Sequence, residues 1–588
     1  MNKSEFLVLR SYYKNEANSL RTISKNIGLS LGTVSKVNRK LVSLGYIKDG
    51  KITEKGSKAL APYKVKNALI MAAGMSRRLA PLSFDKPKGL FEIKDEILIE
   101  RQIKQLKEAG INDIVIVLGY KKESFFYLGD KYNVKIIINS SYENKNNCET
   151  LYLARNYISR TYICSCDQYF INNPFNEYEY ETCYTATYDT KNKKEIRVNL
   201  GSGGKIIGTT TKKNGYMIIG YSFWDEVFSS KFLNLIEKHR EIGDFDSVFW
   251  EIVFFNNINK LPPMYVSIQK EGTIFEFDNL QQLRDFDDRY IENTRLTIMQ
   301  NISSVLSCKE SEITDFIPIK EGLTNTSYIF TVNKKQYVYR HPGFGTSNFI
   351  NRSHEKEALT IAKRINLDPS FIKMDAKEGW KISHYIEETR MPDYHNFNDS
   401  KLVINKMKEL HDANIKVDWN FEPWKGALKY EQYVRKSQGI DMPDFDELKS
   451  NIKKIYNSVE NDGLYEKRLC HCDTYQPNWL IKKNNDVILI DWEYSGQADP
   501  GVDVGYYIVD AMYDFDEAKK FIKEYLGEDY SVEKEKHFFS YISIIAYYWF
   551  LWALYKQAIG NVMGEVLYNW YYMAKKYSNY VLKRYDYE

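Results

Sequence analysis

Residues 469–496 read LCHCDTYQPNWLIKKNNDVILIDWEYSG, and the reading of the rest of the chain works outward from them. Two short apolar runs, Trp479-Leu480-Ile481 and Val487-Ile488-Leu489-Ile490, flank Lys482-Lys483-Asn484-Asn485-Asp486. This pattern predicts a β-hairpin, because Asn tolerates the positive φ of a tight turn. With Asn484 and Asn485 as the turn pair, Lys483 faces Asp486 and Asn478 faces Asp491. An amide oxygen and a carboxylate side by side suit Mg²⁺ carrying phosphates. Asp473, in the loop just upstream, is placed to accept a proton from a substrate hydroxyl.

At 588 residues the chain is too long for one core, and about 150 residues per domain gives three or four. Its 43% hydrophobic and 27% charged residues are ordinary for a soluble globular protein. The net charge of +4 is uneven: residues 1–66 carry 14 Lys/Arg against 4 Asp/Glu, so the remainder is at −6. That asymmetry marks a separate N-terminal module. Seven Cys give no disulfide framework, and Cys164-x-Cys166 and Cys470-x-Cys472 lack metal-site spacing, so they read as structural thiols. The start is polar and basic, without a signal-peptide pattern. The most apolar run, 541–555, is shorter than the roughly 20 residues of a membrane span. The expectation is a cytoplasmic protein.

Residues 1–65 predict three helices, the third capped by Ser30 and carrying Val34, Val37 and Leu41, followed by a hairpin at Asp49-Gly50. The order resembles the winged helix-turn-helix of bacterial regulators, which implies DNA contact through the exposed face of the third helix. Docking or dimerisation through the same module is the other reading.

Residues 66–290 open on the buried-type strand 66–71, then Ala72-Ala73-Gly74-Met75-Ser76-Arg77-Arg78-Leu79, then Lys86-Pro87-Lys88-Gly89-Leu90. A small-residue turn after a strand lets backbone N–H groups approach phosphates. A helix over 98–109 and a strand over 114–118 complete a strand–helix–strand unit, hence a parallel, doubly wound sheet. AAGMSRRLAPL followed by KPKGL resembles the signature of the sugar-nucleotide nucleotidyltransferase superfamily. Ser76 stands where that pattern has Gly, and a negative φ would accommodate it. The resemblance implies that Ala72, Ala73, Gly74 and Ser76 cradle the nucleotide while Arg78 and Lys88 contact the triphosphate. Residues 146–155 (NNCETLYLAR) and 162–167 (YICSCD) resemble the CTP:phosphocholine cytidylyltransferases of that superfamily. On this resemblance Asp167 and Asp278 bind Mg²⁺; strand alternation puts Glu276 on the face of Asp278 as a substrate-binding candidate, and Trp224 and Trp250 are candidates for the quaternary ammonium.

Residues 291–588 follow a boundary within 284–300. The turn 319–328 (IKEGLTNTSY) resembles the phosphate-covering loop of choline and ethanolamine kinases, with Gly322, Asn325 and Ser327 toward the nucleotide. Arg340 stands where protein kinases carry Lys. Glu355 is its expected partner and Glu357 the nearby competitor. In that family's pattern Asp473 is the base, Asn478 and Asp491 the metal ligands, and His471 a loop organiser. Trp549 and Trp552, three apart on one apolar helix, match choline kinases in placement. Tyr568 follows on the next helical stretch, and Trp492 and Glu493 neighbour the metal. These are the candidate choline contacts.

The fold class expected is therefore multidomain α/β and α+β: a winged helix-turn-helix, a doubly wound nucleotidyltransferase α/β domain, and a protein-kinase-like bilobal fold. The function implied is bifunctional synthesis of CDP-choline. ATP phosphorylates choline, CTP then transfers CMP to phosphocholine, and Mg²⁺ serves both steps; the product would feed decoration of surface glycans. The alternatives are a metabolite-sensing transcriptional regulator and the same enzyme acting on ethanolamine. Oligomeric state, channelling, and CTP over other nucleotides are left open by the sequence.

Overall fold

Polar caps set the first helices. Asn2 and Glu5 form a reciprocal capping box on Lys3–Tyr13, Ser19 caps Leu20–Ile27, and Ser30 caps Leu31–Ser43. Asp49 and Gly50 both take positive φ (52° and 72°), joining strands Ile47–Lys48 and Lys51–Ile52 in a tight hairpin. Phe6, Leu9, Ile23, Val34, Val37, Leu41 and Ile47 form a small core beneath it. The computed structural model describes all residues except 16–18, 77–78, 80–81, 143–144, 190–194, 243–247, 293, 320–324, 343–349, 461, 562 and 586–588.

The chain divides into two compact units, Met1–Ser311 and Glu312–Glu588. The N-terminal helices belong to the first and are fastened to it. Arg10 donates to the Tyr178 carbonyl at 3.1 Å, Tyr13 to Glu177 at 2.6 Å, and Lys3 pairs with Glu181. Residues 291–311, assigned above to the last segment, also pack in the first unit: helix Thr297–Leu306 donates its Ile298 N–H to Asp85 at 3.2 Å.

Among the described residues the first unit's main sheet has nine strands. Strands Lys135–Ile138, Ile114–Leu118, Asn67–Ala72 and Thr161–Ser165 are neighbours in that order and run parallel. Gly215–Trp224 then joins antiparallel, so the sheet is mixed beyond its parallel half. Buried on both faces, Asn67–Ala72 and Ile114–Leu118 read as continuous apolar runs. A separate pair, Gln168–Phe170 with Ile274–Glu276, sets Gln168 opposite Glu276. That pairing draws residues 276–278 to the carboxyl end of the Asp167 strand, where open α/β sheets place ligands.

The second unit begins with a five-stranded antiparallel sheet in the order Ile313–Pro318, Asn325–Val332, Lys335–Pro342, Lys381–His384, Phe371–Met374, accompanied by helix Arg352–Arg364. A helical part follows. Its hairpin pairs Trp479 with Leu489 and Ile481 with Val487, one residue off the expected register. The loop holds three residues rather than two, with Asn485 in the left-handed region (φ 65°) and its N–H on the Lys482 carbonyl at 2.9 Å. Asn478 consequently faces Ile490, whose N–H reaches the Asn478 carbonyl at 3.0 Å, and Asp491 lies one step beyond the ladder.

Helix Val532–Ala558 has 27 residues, longer than the apolar run suggested, and by length and composition could cross a membrane. Yet 94% of its most apolar window is buried inside the unit. It packs against Gly501–Asp510, Pro423–Ser437 and Glu565–Arg584 as the centre of the core.

Two candidate active sites

In the first unit, strand Asn67–Ala72 delivers Ala72, Ala73, Gly74 and Ser76 to the head of the sheet. Ser76 has φ 51°, not the negative value expected. An L-residue in the left-handed region costs roughly 1–2 kcal/mol, which is why Gly is the usual occupant. Arg78 lies outside the described residues. Lys88 stands on the short 3₁₀ turn Lys88–Leu90, buried, with Nζ 2.8 Å from Asp167 Oδ2 and 3.6 Å from Asp278 Oδ1. Burial would pull the Lys88 ammonium down, but Asp167, Glu276 and Asp278 outweigh it and hold it above its ordinary range. Burial acts the other way on Asp167, and Lys88 holds that carboxyl low. Glu276 is left over: burial, Asp167 and Asp278 push it up to about 8 despite Lys88. Asp167 Oδ1 is buried and accepts no hydrogen bond among the described residues.

Trp224 and Trp250 are placed differently from the expectation. Both are buried in the core, Trp250 stacked on Tyr184 at 5.5 Å and Trp224 edge-on to Trp250 at 5.1 Å, so neither ring face is open. Beside them stands a residue the sequence did not single out. Tyr184, on strand Cys183–Asp189, donates to Glu251 at 3.2 Å and feels Glu251, Glu276 and Asp167 in turn. Glu251 is half-buried, and desolvation pushes its carboxyl up to about 7. One Tyr in a strand with two carries no signal until the fold sets Glu251 beside it.

In the second unit, Arg340 on strand Lys335–Pro342 pairs with Glu355 on helix Arg352–Arg364, and Glu357 is exposed instead. Arg340 also lies 3.5 Å from Glu493 and 3.6 Å from Asp491. Burial opposes ionisation of Glu355, but Arg340, Lys381 and Arg352 overcome it and hold the carboxyl down to about 2. Glu355, Asp491 and Glu493 place one oxygen each within 4.8 Å of one another. Asp491 takes a left-handed backbone (φ 69°), and its buried Oδ1 accepts no hydrogen bond among the described residues.

Glu493 does not line an acceptor pocket as expected. It is buried and held by Arg352 at 3.0 Å and by the Asn325 amide at 2.8 Å. Asn325 is engaged in turn by Arg352 at 3.2 Å, and Ser327 lies opposite Arg340 in the sheet. Gly322 is outside the described residues.

The Asp473 loop is tied from below. Asp503 accepts the N–H groups of His471 at 2.9 Å and Cys472 at 2.7 Å, with Cys472 at φ 65°. The Asp473 N–H donates to His471 Nδ1 at 3.3 Å, so His471 Nε2 carries the proton and donates to the Ile490 carbonyl at 2.9 Å. His471 thus links the loop to the end of the hairpin. Asn478 Nδ2 donates to Asp473 Oδ2 at 3.2 Å. Burial, with Asp491 and Glu493, pushes the Asp473 carboxyl well above its usual range.

Trp492 is fully buried, its indole N–H on the Leu489 carbonyl at 2.8 Å and its ring edge-on to His471; it packs the loop and offers no face. Tyr568 is 63% exposed and stacks with Tyr572, outside the aromatic cluster. Trp549 and Trp552 do come together, 5.4 Å apart, and Trp570 joins them at 5.8 and 6.0 Å. Tyr506 stacks on Trp549 at 4.7 Å, and Tyr494 accepts the Trp552 indole N–H at 3.2 Å. Burial raises both tyrosines, and the Glu493 and Asp473 carboxylates add to the rise at Tyr494 and Asp473 at Tyr506. The Lys556 ammonium lies 5.2 Å over the Trp552 ring.

Residues 316–585 match the choline/ethanolamine kinase family, and residues 68–190 the MobA-like NTP transferase domain family. A choline-phosphate cytidylyltransferase of Streptococcus pneumoniae is 34% identical over 222 residues, 38% of this chain and 96% of that protein. A 2-aminoethylphosphonate cytidylyltransferase of Lancefieldella rimae is 29% identical over 235 residues, 38% of this chain and 93% of that one. Among solved structures, choline kinase LicA from Streptococcus pneumoniae superposes with a TM-score of 0.43 at 24% identity, covering 49% of this chain and 100% of its own. Through its first unit the chain belongs to the choline-phosphate cytidylyltransferase family, and its second unit carries the domain of the choline/ethanolamine kinase family.

Proposed function

We propose that the chain makes CDP-choline in two steps, each on one unit. The observation that carries this reading is that both buried charge clusters, Lys88 with Asp167, Glu276 and Asp278, and Arg340 with Glu355, Asp491 and Glu493, are complete in one chain. Their bare acceptors, Asp167 Oδ1 and Asp491 Oδ1, fit a hard divalent cation. Mg²⁺ would be held by Asp167 and Asp278 in one unit and by Asn478 and Asp491 in the other. When bound it would neutralise phosphate oxygens.

In the second unit Asp473 takes the choline hydroxyl proton as that oxygen forms its bond to the γ-phosphorus of ATP and ADP leaves. Its raised affinity for a proton suits the task. Tyr494, Tyr506, Trp549, Trp552 and Trp570 would hold the quaternary ammonium, which no hydrogen bond can satisfy. A ring face contributes about 0.5–2 kcal/mol to such a cation. In the first unit a phosphocholine oxygen attacks the α-phosphorus of CTP and pyrophosphate leaves. Lys88, with Arg78, balances the triphosphate, while Tyr184 and Glu251 wall the acceptor side.

Incubation with choline, ATP, CTP and Mg²⁺ tests the reading: CDP-choline and pyrophosphate are expected. Folded protein that yields no CDP-choline rejects it in favour of a metabolite-sensing regulator, and faster turnover of ethanolamine than choline changes the amine.

A second role is favoured by one observation. Arg21, Lys25, Lys36, Arg39, Lys48 and Lys51, on the second and third helices and the hairpin, are exposed and form no ion pair among the described residues. With three helices and a two-stranded ribbon, this supports a winged helix-turn-helix contacting duplex DNA. Binding that weakens steeply with salt is expected, and charge reversal at Lys36 and Arg39 without effect on it would reject the contact.

A further inference from the structure

Helix Thr297–Leu306 begins without a cap of its own, because Leu296 stands at its N-cap and its side chain makes no capping hydrogen bond. The first N–H groups of a helix have no partner inside it. Here they are met by Asp85, 213 residues away from Ile298, whose N–H it accepts at 3.2 Å. Burial raises the Asp85 carboxyl, and the Ile298 and Thr297 N–H groups pull it back. Asp85 ends Leu82–Asp85, and Lys88 follows after only Lys86 and Pro87. That link is stiff. Pro87 fixes its own φ and restricts Lys86 before it, and its carbonyl accepts the Leu90 N–H at 2.8 Å. Holding Asp85 therefore holds the backbone of Lys88.

The other flank of Lys88 is held by the same stretch of chain. Turn Lys88–Leu90 runs into the hairpin of Glu92–Ile93 and Glu96–Ile97, whose turn residues Lys94 and Asp95 take positive φ (48° and 65°). Asp287 accepts the Lys94 N–H at 2.6 Å, and Arg289 pairs with Asp95 at 2.8 Å. The Lys94 ammonium lies 4.3 Å over the Phe286 ring. Phe286 packs in turn on Phe275 and Phe277, at 4.3 and 5.3 Å, and Phe277 directly precedes Asp278. Buried Arg284 braces the stretch internally, donating to the Tyr290 carbonyl at 3.0 Å and the Glu310 carbonyl at 2.6 Å.

We propose that Asp287, Arg289 and the start of helix Thr297–Leu306 form a clamp that sets Lys88 against Asp167 and Asp278, with Asp85 and Arg289 as its positioning residues. The inference rests on the reading of the first unit as a cytidylyltransferase. Neither residue touches substrate; both act through Lys88, which balances the triphosphate. A misplacement of about 1 Å at such a group can cost as much as 10²-fold in rate.

The test measures cytidylyl transfer from CTP to phosphocholine by the full chain, for wild type, Asp85→Ala, Asp85→Asn and Arg289→Met. Circular dichroism checks folding, and choline phosphorylation by ATP serves as the internal control. Asp85→Ala should lower kcat for cytidylyl transfer about 10- to 10²-fold, leaving choline phosphorylation and the KM for phosphocholine unchanged. Asp85→Asn keeps an acceptor oxygen for the Ile298 N–H and should restore most of that kcat. Arg289→Met should lower the same kcat about two- to fivefold, the scale of an exposed ion pair. A folded Asp85→Ala with the kcat of wild type overturns the clamp, because Asp85 would then only brace the fold. An Asp85→Asn as slow as Asp85→Ala overturns it too, since charge and not the tie to the helix would matter. If Asp85→Ala does not fold, Arg289→Met decides, and a wild-type kcat there rejects the clamp. A wild type that does not turn over CTP and phosphocholine removes the cytidylyltransferase reading, and this inference with it.

Discussion

On the function proposed, the two charge clusters solve the same problem, holding a polyphosphate beside carboxylates, with different balances. In the first unit one buried ammonium, Lys88, faces Asp167, Glu276 and Asp278. In the second, Arg340, Arg352 and Lys381 face Glu355, Asp491 and Glu493. The difference shows in one carboxyl of each: Glu276 is pushed up to about 8, whereas Glu355 is held down to about 2. Asp167, next to Lys88, is held low in the first cluster, and burial and Asp491 raise Glu493 in the second. A cluster short of cations is completed only by what binds to it. A balanced cluster is set before anything arrives.

The sharpest break of the comparison is to disable each side in turn. Asp473→Ala should cut choline phosphorylation by about 10²–10⁴-fold, the usual weight of a general base, while added phosphocholine is still converted with CTP. Asp167→Ala should do the reverse, by about 10²–10³-fold, and phosphocholine should accumulate. Product chromatography reads both, and loss of both activities in either variant would mean the sites are not independent.

Next in size is the balance itself. Lys88→Met leaves three carboxylates around a buried position with no cation, so the first unit should lose about 3–5 kcal/mol in denaturant unfolding. Added Mg²⁺ should recover part of that loss. Stability unchanged by the substitution would show that the carboxyls simply take up protons.

These expectations also show what could be read without a fold. Asp167 and Asp491 are read from the apolar runs they end, where strands deliver ligands, and Asp473 from its place in the loop just upstream of the hairpin. The hairpin was legible but its register was not. Asn484-Asn485 satisfies a two-residue turn, yet Asn485 alone takes the left-handed position of a three-residue loop, which moves Asn478 from Asp491 to Ile490. Aromatic residues were harder. Trp492 and Glu493 sit next to Asp491 in sequence but point into the core and the Arg352 cluster, whereas Trp570 reaches Trp549 only because two long helices pack together. Lys381 was invisible, since only the strand register sets it against Arg340.

A buried histidine extends the comparison to pH. His537, on Val532–Ala558, bonds Asp462 at 2.6 Å and Asp499 at 3.0 Å. Burial alone would pull it down, but these carboxylates outweigh burial and push it up to about 9. A raised histidine lends its stability in full below its ordinary value of 6.5, and loses it as pH rises through about 9. The contribution is at most about 3 kcal/mol. The protection of that helix against hydrogen exchange, relative to the intrinsic rate at each pH, should therefore fall between pH 6.5 and 9, and His537→Gln should flatten the change. A profile unaffected by the substitution would remove His537 as its cause.

The smallest effect concerns the amine. Lys556 keeps a cation over Trp552, so Lys556→Met should lower the KM for choline about two- to fivefold, the scale of one exposed cation–π contact, with kcat nearly constant. A raised KM would make Lys556 a support for the ring.

The most direct test of two complete and independent sites in one chain is complementation. Asp473→Ala and Asp167→Ala, each unable to convert choline to CDP-choline alone, are mixed with choline, ATP, CTP and Mg²⁺. CDP-choline should appear in the mixture at a rate that follows the concentration of both variants. A silent mixture of two folded variants, each retaining its other half-reaction, would contradict it.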